Sequence, residues 1–150
     1  MCERLSRMKN GKPANQQPAT SNQQPAPPMK AIIYTKYGTS DVLELKEVDK
    51  PVPNENEVLI KVYAVSINDW DLGLLQGDLI NRLINGLFKP KIKILGSDIA
   101  GRIEAVGKKI KKYQLGDEVY GDLSGSWGGF AEYACAHEND VERNALVIFI

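Results

Sequence analysis

Cysteine and histidine are almost missing from this 150-residue sequence: Cys2, Cys135 and His137 are the full complement. Two cysteines make neither a disulfide framework nor a multi-cysteine zinc site, so a reducing, cytoplasmic setting is expected. Long apolar runs are also missing. No stretch approaches the roughly 18–20 residues that cross a bilayer, so no membrane partner is expected. The N-terminus lacks the apolar stretch of a secretory signal. Charge excess is the third absence, since 19 basic residues balance 19 acidic ones. The balance hides a split: Arg4, Arg7, Lys9 and Lys12 stand against Glu3 over residues 1–28, which leaves 15 basic and 18 acidic residues over 29–150. A slightly acidic body lacks the basic footprint of a nucleic-acid-binding domain. The length suits one domain with a real core.

Residues 10–28 carry five of the eight prolines and no apolar side chain larger than Ala. Such a segment cannot bury enough surface to offset its ordering entropy, so residues 1–28 are expected to be disordered. The folded part begins at Met29. Short strands are predicted over Lys30–Thr35, Val42–Val48, Glu57–Ser66, Ile92–Leu95, Asp98–Val106, Glu118–Tyr120 and Phe130–Ala136. The strongest is Glu57–Ser66, where Val58, Ile60 and Val62 alternate with Leu59, Tyr63 and Val65. Apolar residues on both faces predict a strand covered on both sides for much of its length. Asn68–Gln76 reads as a short helix or turn closed by Gly77. Leu79–Phe88 reads as an amphipathic helix, with Leu79, Ile80, Leu83, Ile84, Leu87 and Phe88 opposite Asn81, Arg82 and Asn85. Many short strands and little helix predict a mainly β, closed or partly open antiparallel barrel.

The most specific stretch runs Gly96-Ser-Asp-Ile-Ala-Gly-Arg-Ile-Glu-Ala-Val-Gly107 and continues to Gly116-Asp-Glu-Val-Tyr-Gly121. Gly96 and Gly101 suit a tight entry and a close backbone approach, and Gly107 and Gly116 suit turns, Gly107 one that needs positive φ. By residues alone this is a hairpin-rich scaffold. The pattern G-x-D-x-A-G-x-I-x-A-V-G followed by G-D-x-V-x-G resembles the N-terminal, GroES-like domain of medium-chain dehydrogenases/reductases. The MKAIIY start at Met29, the Pro51–Val62 segment and G-G-F-A-E-Y at Gly128–Tyr133 agree with it. The resemblance covers about 29–140 and implies a GroES-like, partly open β-barrel.

Within that family the resemblance also picks a branch. Zinc-dependent members bind the metal through a Cys and the His of G-H-E, and the matching positions here are Asn68 and Ser97. A neutral amide and a hydroxyl do not replace thiolate and imidazole for zinc. The four-cysteine structural lobe is replaced by the cysteine-free run Gly121–Gly129. No metal site is expected, as in zinc-independent quinone oxidoreductase-like members. Those relatives use NADP(H) or NAD(H) to deliver a hydride to quinones, enones or other activated carbonyl compounds. By position, Asn68 would touch the cofactor or the substrate oxygen, Trp70 would form an aromatic wall, and Asp71 would orient the backbone near the cofactor. Set beside these roles, Asn68 also reads as a turn cap, Trp70 as plain core and Asp71 as a structural cap.

The remaining candidates are weaker. His137 reads as a surface or edge-strand residue, Asp98 as a pocket acid or a partner of Arg102, and Cys135 as an inert core thiol. Lys108, Lys109, Lys111 and Lys112 read as a solvated turn. After Asp140 the resemblance fades into residues 141–150, which end in LVIFI, and no G-x-G-x-x-G follows. A truncated or frameshifted reading frame is the simplest expectation, and a half-enzyme completed by a separate Rossmann-domain chain is the next. A catalytic domain inactive without its dinucleotide-binding domain therefore stands beside a non-enzymatic GroES-like binding module.

Overall fold

The structure, a computed structural model, describes residues 27–143. The disorder expected before Pro27 and the apolar end beyond Arg143 fall outside the described residues. In chain order the elements are β1 (Met29–Ile33), β2 (Glu44–Val48), β3 (Glu57–Val65), α1 (Asp69–Gln76), α2 (Leu79–Asn85), β4 (Asp98–Val106), β5 (Glu118–Asp122), β6 (Tyr133–His137) and β7 (Val141–Arg143). Among the described residues no helix is long and apolar enough to cross a membrane.

β3 is an interior strand, between β6 and β4, of a five-stranded antiparallel sheet ordered β6-β3-β4-β5-β7, and β1 and β2 form a separate antiparallel pair. Val58 and Ile60 are fully buried, and Leu59 on the opposite face is buried as well. Each such side chain contributes about 1.5–3 kcal/mol. Only this first half of β3 is covered on both sides. From Lys61 onward the strand is largely exposed, which corrects the expectation for Tyr63 and Val65. Register shifts at Leu59/Ile60 and Val62/Ala64 against β4 bend the strand. Bonds from the Ile32 N–H to the Phe130 carbonyl (2.8 Å), from the Glu132 N–H to the Lys30 carbonyl (3.0 Å) and from the Val62 N–H to the Glu132 carbonyl (3.0 Å) draw the small sheet against the large one. The two sheets curl together without closing. The architecture is the mainly β, partly open barrel that the sequence predicts.

Two apolar clusters result. One fills the large sheet around Val58, Ile60, Ile103, Val119 and Leu123. The other, around Tyr34, Leu74, Leu75, Leu95 and Trp127, packs α1 against the segments that flank β4 and β5.

α2 is the main departure from the sequence pattern. Its apolar stripe faces outward, with Leu83 71 % exposed, while Asn81 and Asn85 are buried. The Asp78 side chain caps the helix by accepting the Asn81 backbone N–H at 2.8 Å. Asn85 donates to the Tyr34 hydroxyl at 2.8 Å, and its Oδ1 accepts the N–H groups of Lys91 (3.0 Å) and Ile92 (2.8 Å). Those bonds also explain why Ile92–Leu95 is no strand. Its polar groups are met singly, by Asn85, by Tyr34 N–H on the Lys93 carbonyl and by Phe130 N–H on the Leu95 carbonyl. The helix stops at Asn85, short of the expected Phe88, and Phe130–Glu132 precede β6 as a single bridge at Ala131. Gly107 holds no positive φ; a Cβ there would collide with the Asn54 carbonyl, so close approach is what requires glycine.

Candidate active site

α1 starts at Asn68 because that side chain closes its first turn. Asn68 Oδ1 accepts the backbone N–H of Trp70 at 2.9 Å and of Asp71 at 3.2 Å, and Asp71 Oδ2 accepts the Asn68 N–H at 3.0 Å. This is a reciprocal capping box. The second Asp71 oxygen accepts the Gly96 N–H at 2.8 Å, so a carboxylate only 2 % exposed ties α1 to the entry of β4. Gly96 has φ +91°, and a Cβ would lie 2.7 Å from the Phe130 nitrogen, so only glycine fits.

That link sets Ser97 and Asp98 against the cap. The Asn68 amide nitrogen donates to Ser97 Oγ at 2.9 Å and to Asp98 Oδ2 at 2.8 Å, and Ser66 Oγ donates to the same Asp98 oxygen at 3.1 Å. With both lone pairs and both hydrogens of the amide engaged, its orientation is unambiguous. These groups form the polar floor of a cavity of about 390 Å³. Its apolar wall comes from Trp70, Leu74, Ile84, Ile92 and Trp127, and Asp122 and Ser124 stand at the rim. None of its lining residues is Lys or Arg. A shallower groove of about 500 Å³ runs along the other side of Asp98, past Ser66 and Tyr120. Trp127 adopts φ +60°, a strained conformation for a bulky residue, and its ring is nearly buried.

The structure thus brings Asn68, Trp70 and Asp71 together on one turn. Asn68 and Asp71 act as caps, while Trp70 is 63 % exposed and stands at the cavity rather than in the core. Asp98 pairs with Asn68 and Ser66; Arg102 instead binds Glu118 at 2.9 Å across adjacent strands. His137 lies on the edge strand β6, away from the cavity, its Nδ1 accepting the Asn139 N–H at 3.3 Å. Lys109 and Lys112 make exposed ion pairs with Glu55 and Glu142. Burial pushes the Cys135 thiol up to about 11. The sequence reading missed Ser66, Asn81, Asp122, Ser124 and Trp127. For Trp127 there was a signal: one large aromatic among glycines, in Gly125-Ser-Trp-Gly-Gly129.

At the two positions matched to zinc ligands, an amide N–H points at a hydroxyl oxygen, and the amide oxygen is turned to the helix backbone. Among the described residues no group of three or more His, Cys, Asp or Glu could hold a metal ion.

Comparison with known proteins agrees with this geometry. The chain is 37 % identical over 117 residues to the quinone oxidoreductase of Lama guanicoe, covering 77 % of this chain and 33 % of that protein. It is 35 % identical over 118 residues to the chloroplastic NADPH-dependent alkenal/one oxidoreductase of Arabidopsis thaliana, covering 73 % and 29 %. The structure of the quinone oxidoreductase from Coxiella burnetii superposes with a TM-score of 0.66 at 30 % identity, over 78 % of this chain and 37 % of that one. The chain therefore spans about a third of the length of the relatives it matches. Residues 54–144 match the alcohol dehydrogenase GroES-like domain. With that match, the partly open β fold and the capped α1 turn beside β4, the chain belongs to the alcohol dehydrogenase GroES-like domain family of the medium-chain dehydrogenase/reductase superfamily.

Proposed function

We propose that this domain forms the substrate side of a zinc-independent, NAD(P)H-dependent reductase of quinones, enones or other activated carbonyl compounds. The observation that carries the reading is the Asn68–Ser97 hydrogen bond on the floor of an apolar cavity. Where zinc-dependent relatives would need two lone pairs aimed at a metal, these side chains spend their polarity on each other. A carbonyl in the cavity would be polarised by hydrogen bonding. Asp98 and Asp122 are acidic and no lining residue is basic, so a neutral ligand is favoured over an anion. The volume suits a ring-sized substrate.

The residues present fit a nicotinamide better than a metal: Trp70 offers an exposed aromatic face, and Asn68 and Asp71 hold the turn that presents it. When bound, the cofactor supplies a hydride to an electron-poor carbon. The chain's own residues exclude water with Trp70, Leu74 and Trp127 and keep Ser97 and Asp98 in place. The rest of the cofactor would rest on a dinucleotide-binding domain, in the same polypeptide or on a separate chain. The outward apolar stripe of α2 favours a second reading, a non-enzymatic binding module.

Trp70 and Trp127 are the only two tryptophans and both line the cavity. Titrating the ¹⁵N-labelled chain with 3-methyl-2-cyclohexenone, whose β-methyl slows addition to thiols, is expected to shift both indole N–H resonances saturably. If neither resonance moves at millimolar ligand, the substrate-site reading fails and the binding module stands.

A further inference from the structure

We propose that Ser97 is the hydroxyl donor to the carbonyl oxygen of the substrate, a role that the sequence reading offered to Asn68. The proposal rests on the reading of the cavity as a carbonyl site and assigns the group that touches the oxygen.

Asn68 has nothing left to give. Its Oδ1 is held by two helix N–H groups and its two amide hydrogens by Ser97 and Asp98. The two N–H donors fix which end of the amide is oxygen, so the bond between Asn68 and Ser97 runs in one direction only: nitrogen donates and Ser97 Oγ accepts. The hydroxyl hydrogen of Ser97 must therefore point elsewhere. Ser97 is 3 % exposed, its own carbonyl is taken by the Leu123 N–H at 2.7 Å, and the side chain lines the cavity. Among the described residues no acceptor meets that hydrogen. A buried hydroxyl with an unused donor is unfavourable until something accepts from it, and the accessible space beside it is the cavity.

The surroundings strengthen the donor. Asn68 gives its oxygen to the first turn of α1 and its N–H to Ser97, so each bond polarises the next toward the cavity. When a hydride adds to the β-carbon of an enone, the electron pair of the C=C bond moves to the α-carbon and the carbonyl oxygen, which becomes an enolate oxygen. A donor already aimed there stabilises that charge without rearrangement. Ser97 keeps its proton throughout, and bulk water supplies the proton that completes the saturated ketone once the enolate leaves the cavity. Asp98 accepts from Asn68 and Ser66 and acts as a positioning residue.

The test uses the full chain and 3-methyl-2-cyclohexenone labelled with ¹³C at the carbonyl, read by the infrared C=O stretch of the bound ligand and by the indole resonances. In the unaltered chain the bound stretch is expected at low wavenumber. Ser97→Ala is expected to raise it and to weaken binding about five- to tenfold, the worth of one neutral hydrogen bond. Ser97→Cys, nearly isosteric and a much weaker donor, is expected to fall between, which keeps the test valid should the alanine variant fold poorly. If the ligand moves both indoles in every variant while stretch and affinity stay unchanged, the assignment of Ser97 is wrong and the cavity reading survives. If it moves neither indole in the unaltered chain, the cavity reading itself is wrong.

Discussion

Tyr34 is 1 % exposed, and its hydroxyl meets the equally buried Asn85 amide. Burial pushes its phenol up to about 12 from an ordinary 10, outweighing the Asn85 bond, which pulls the other way. A group whose folded pKa is raised contributes stability that is complete below its unfolded value and lost as pH climbs through the folded one. Thermal melts are therefore expected to lose stability between pH 10 and 12, and Tyr34→Phe to lessen that loss. A variant as alkali-sensitive as the parent would remove Tyr34 from the account. Cys135 follows the same rule: its thiol, at about 11, forms little thiolate near pH 8. In a Cys2→Ser background, iodoacetamide is expected to label it well over tenfold more slowly in the folded protein than in denaturant. At this scale the sequence singled out, through their place in a motif, Asn68, Trp70 and Asp71, which the structure brings onto one turn. It did not reveal that Asn68 spends its whole amide inside the chain, because Ser97 lies 29 residues away and the link depends on Asp71 holding Gly96.

Among the elements, α2 shows where periodicity misleads. Its apolar residues Leu79, Ile80, Leu83 and Ile84 repeat as a core-facing stripe should, yet they are exposed, because Asn81 and Asn85 have partners that only the folded chain supplies. Leu83→Gln is expected to change stability by no more than about 0.5 kcal/mol, as for a surface site. Asn85→Ala leaves the Lys91 and Ile92 N–H groups and the Tyr34 hydroxyl without their partner, and should cost about 2–4 kcal/mol. Denaturant melts of the two variants check the order; the reverse ranking would mean that the stripe is buried in solution. β3 was legible because its β-branched alternation is long, and β4 because glycine-containing turns bound it. Ile92–Leu95 was not, because a four-residue run with three apolar side chains looks alike whether it pairs as a strand or hangs on single bonds.

For the whole molecule, the fold class was legible from short strands and spaced turns, and the family from ordered motifs. The partial opening of the barrel came from the family resemblance and not from periodicity, since it depends on the few bonds that join the small sheet to the large one. Met29 is buried on β1, opposite Val48. We propose that 29–143 holds the folding information, so a chain starting at Met29 is expected to keep a single cooperative transition at the parent's midpoint. A broadened or lowered transition would give residues 1–28 a part in the fold. We further propose that the dialysed protein carries less than stoichiometric zinc, because the amide hydrogen at Asn68 faces the oxygen of Ser97. Elemental analysis showing one tightly held zinc per chain would overturn the branch assignment.

The place of β3 between β4 and β6 also sets a timetable for synthesis. Val58 pairs with Val106 on one side and Ala136 on the other, 48 and 78 residues further along the chain. A ribosome adding about 5–20 residues per second makes the first partner after about 2–10 s and the second after about 4–16 s. Until the first partner is made the run Val58-Leu59-Ile60 has neither neighbour, and until the second it keeps one open edge, while the nearby β1–β2 pair can already form. The nascent chain therefore spends seconds with its most adhesive strand on offer to other chains. Slower elongation lengthens this exposure, so the yield of soluble protein from a cell should respond to growth temperature and chaperone supply more than to small changes in the stability of the finished fold.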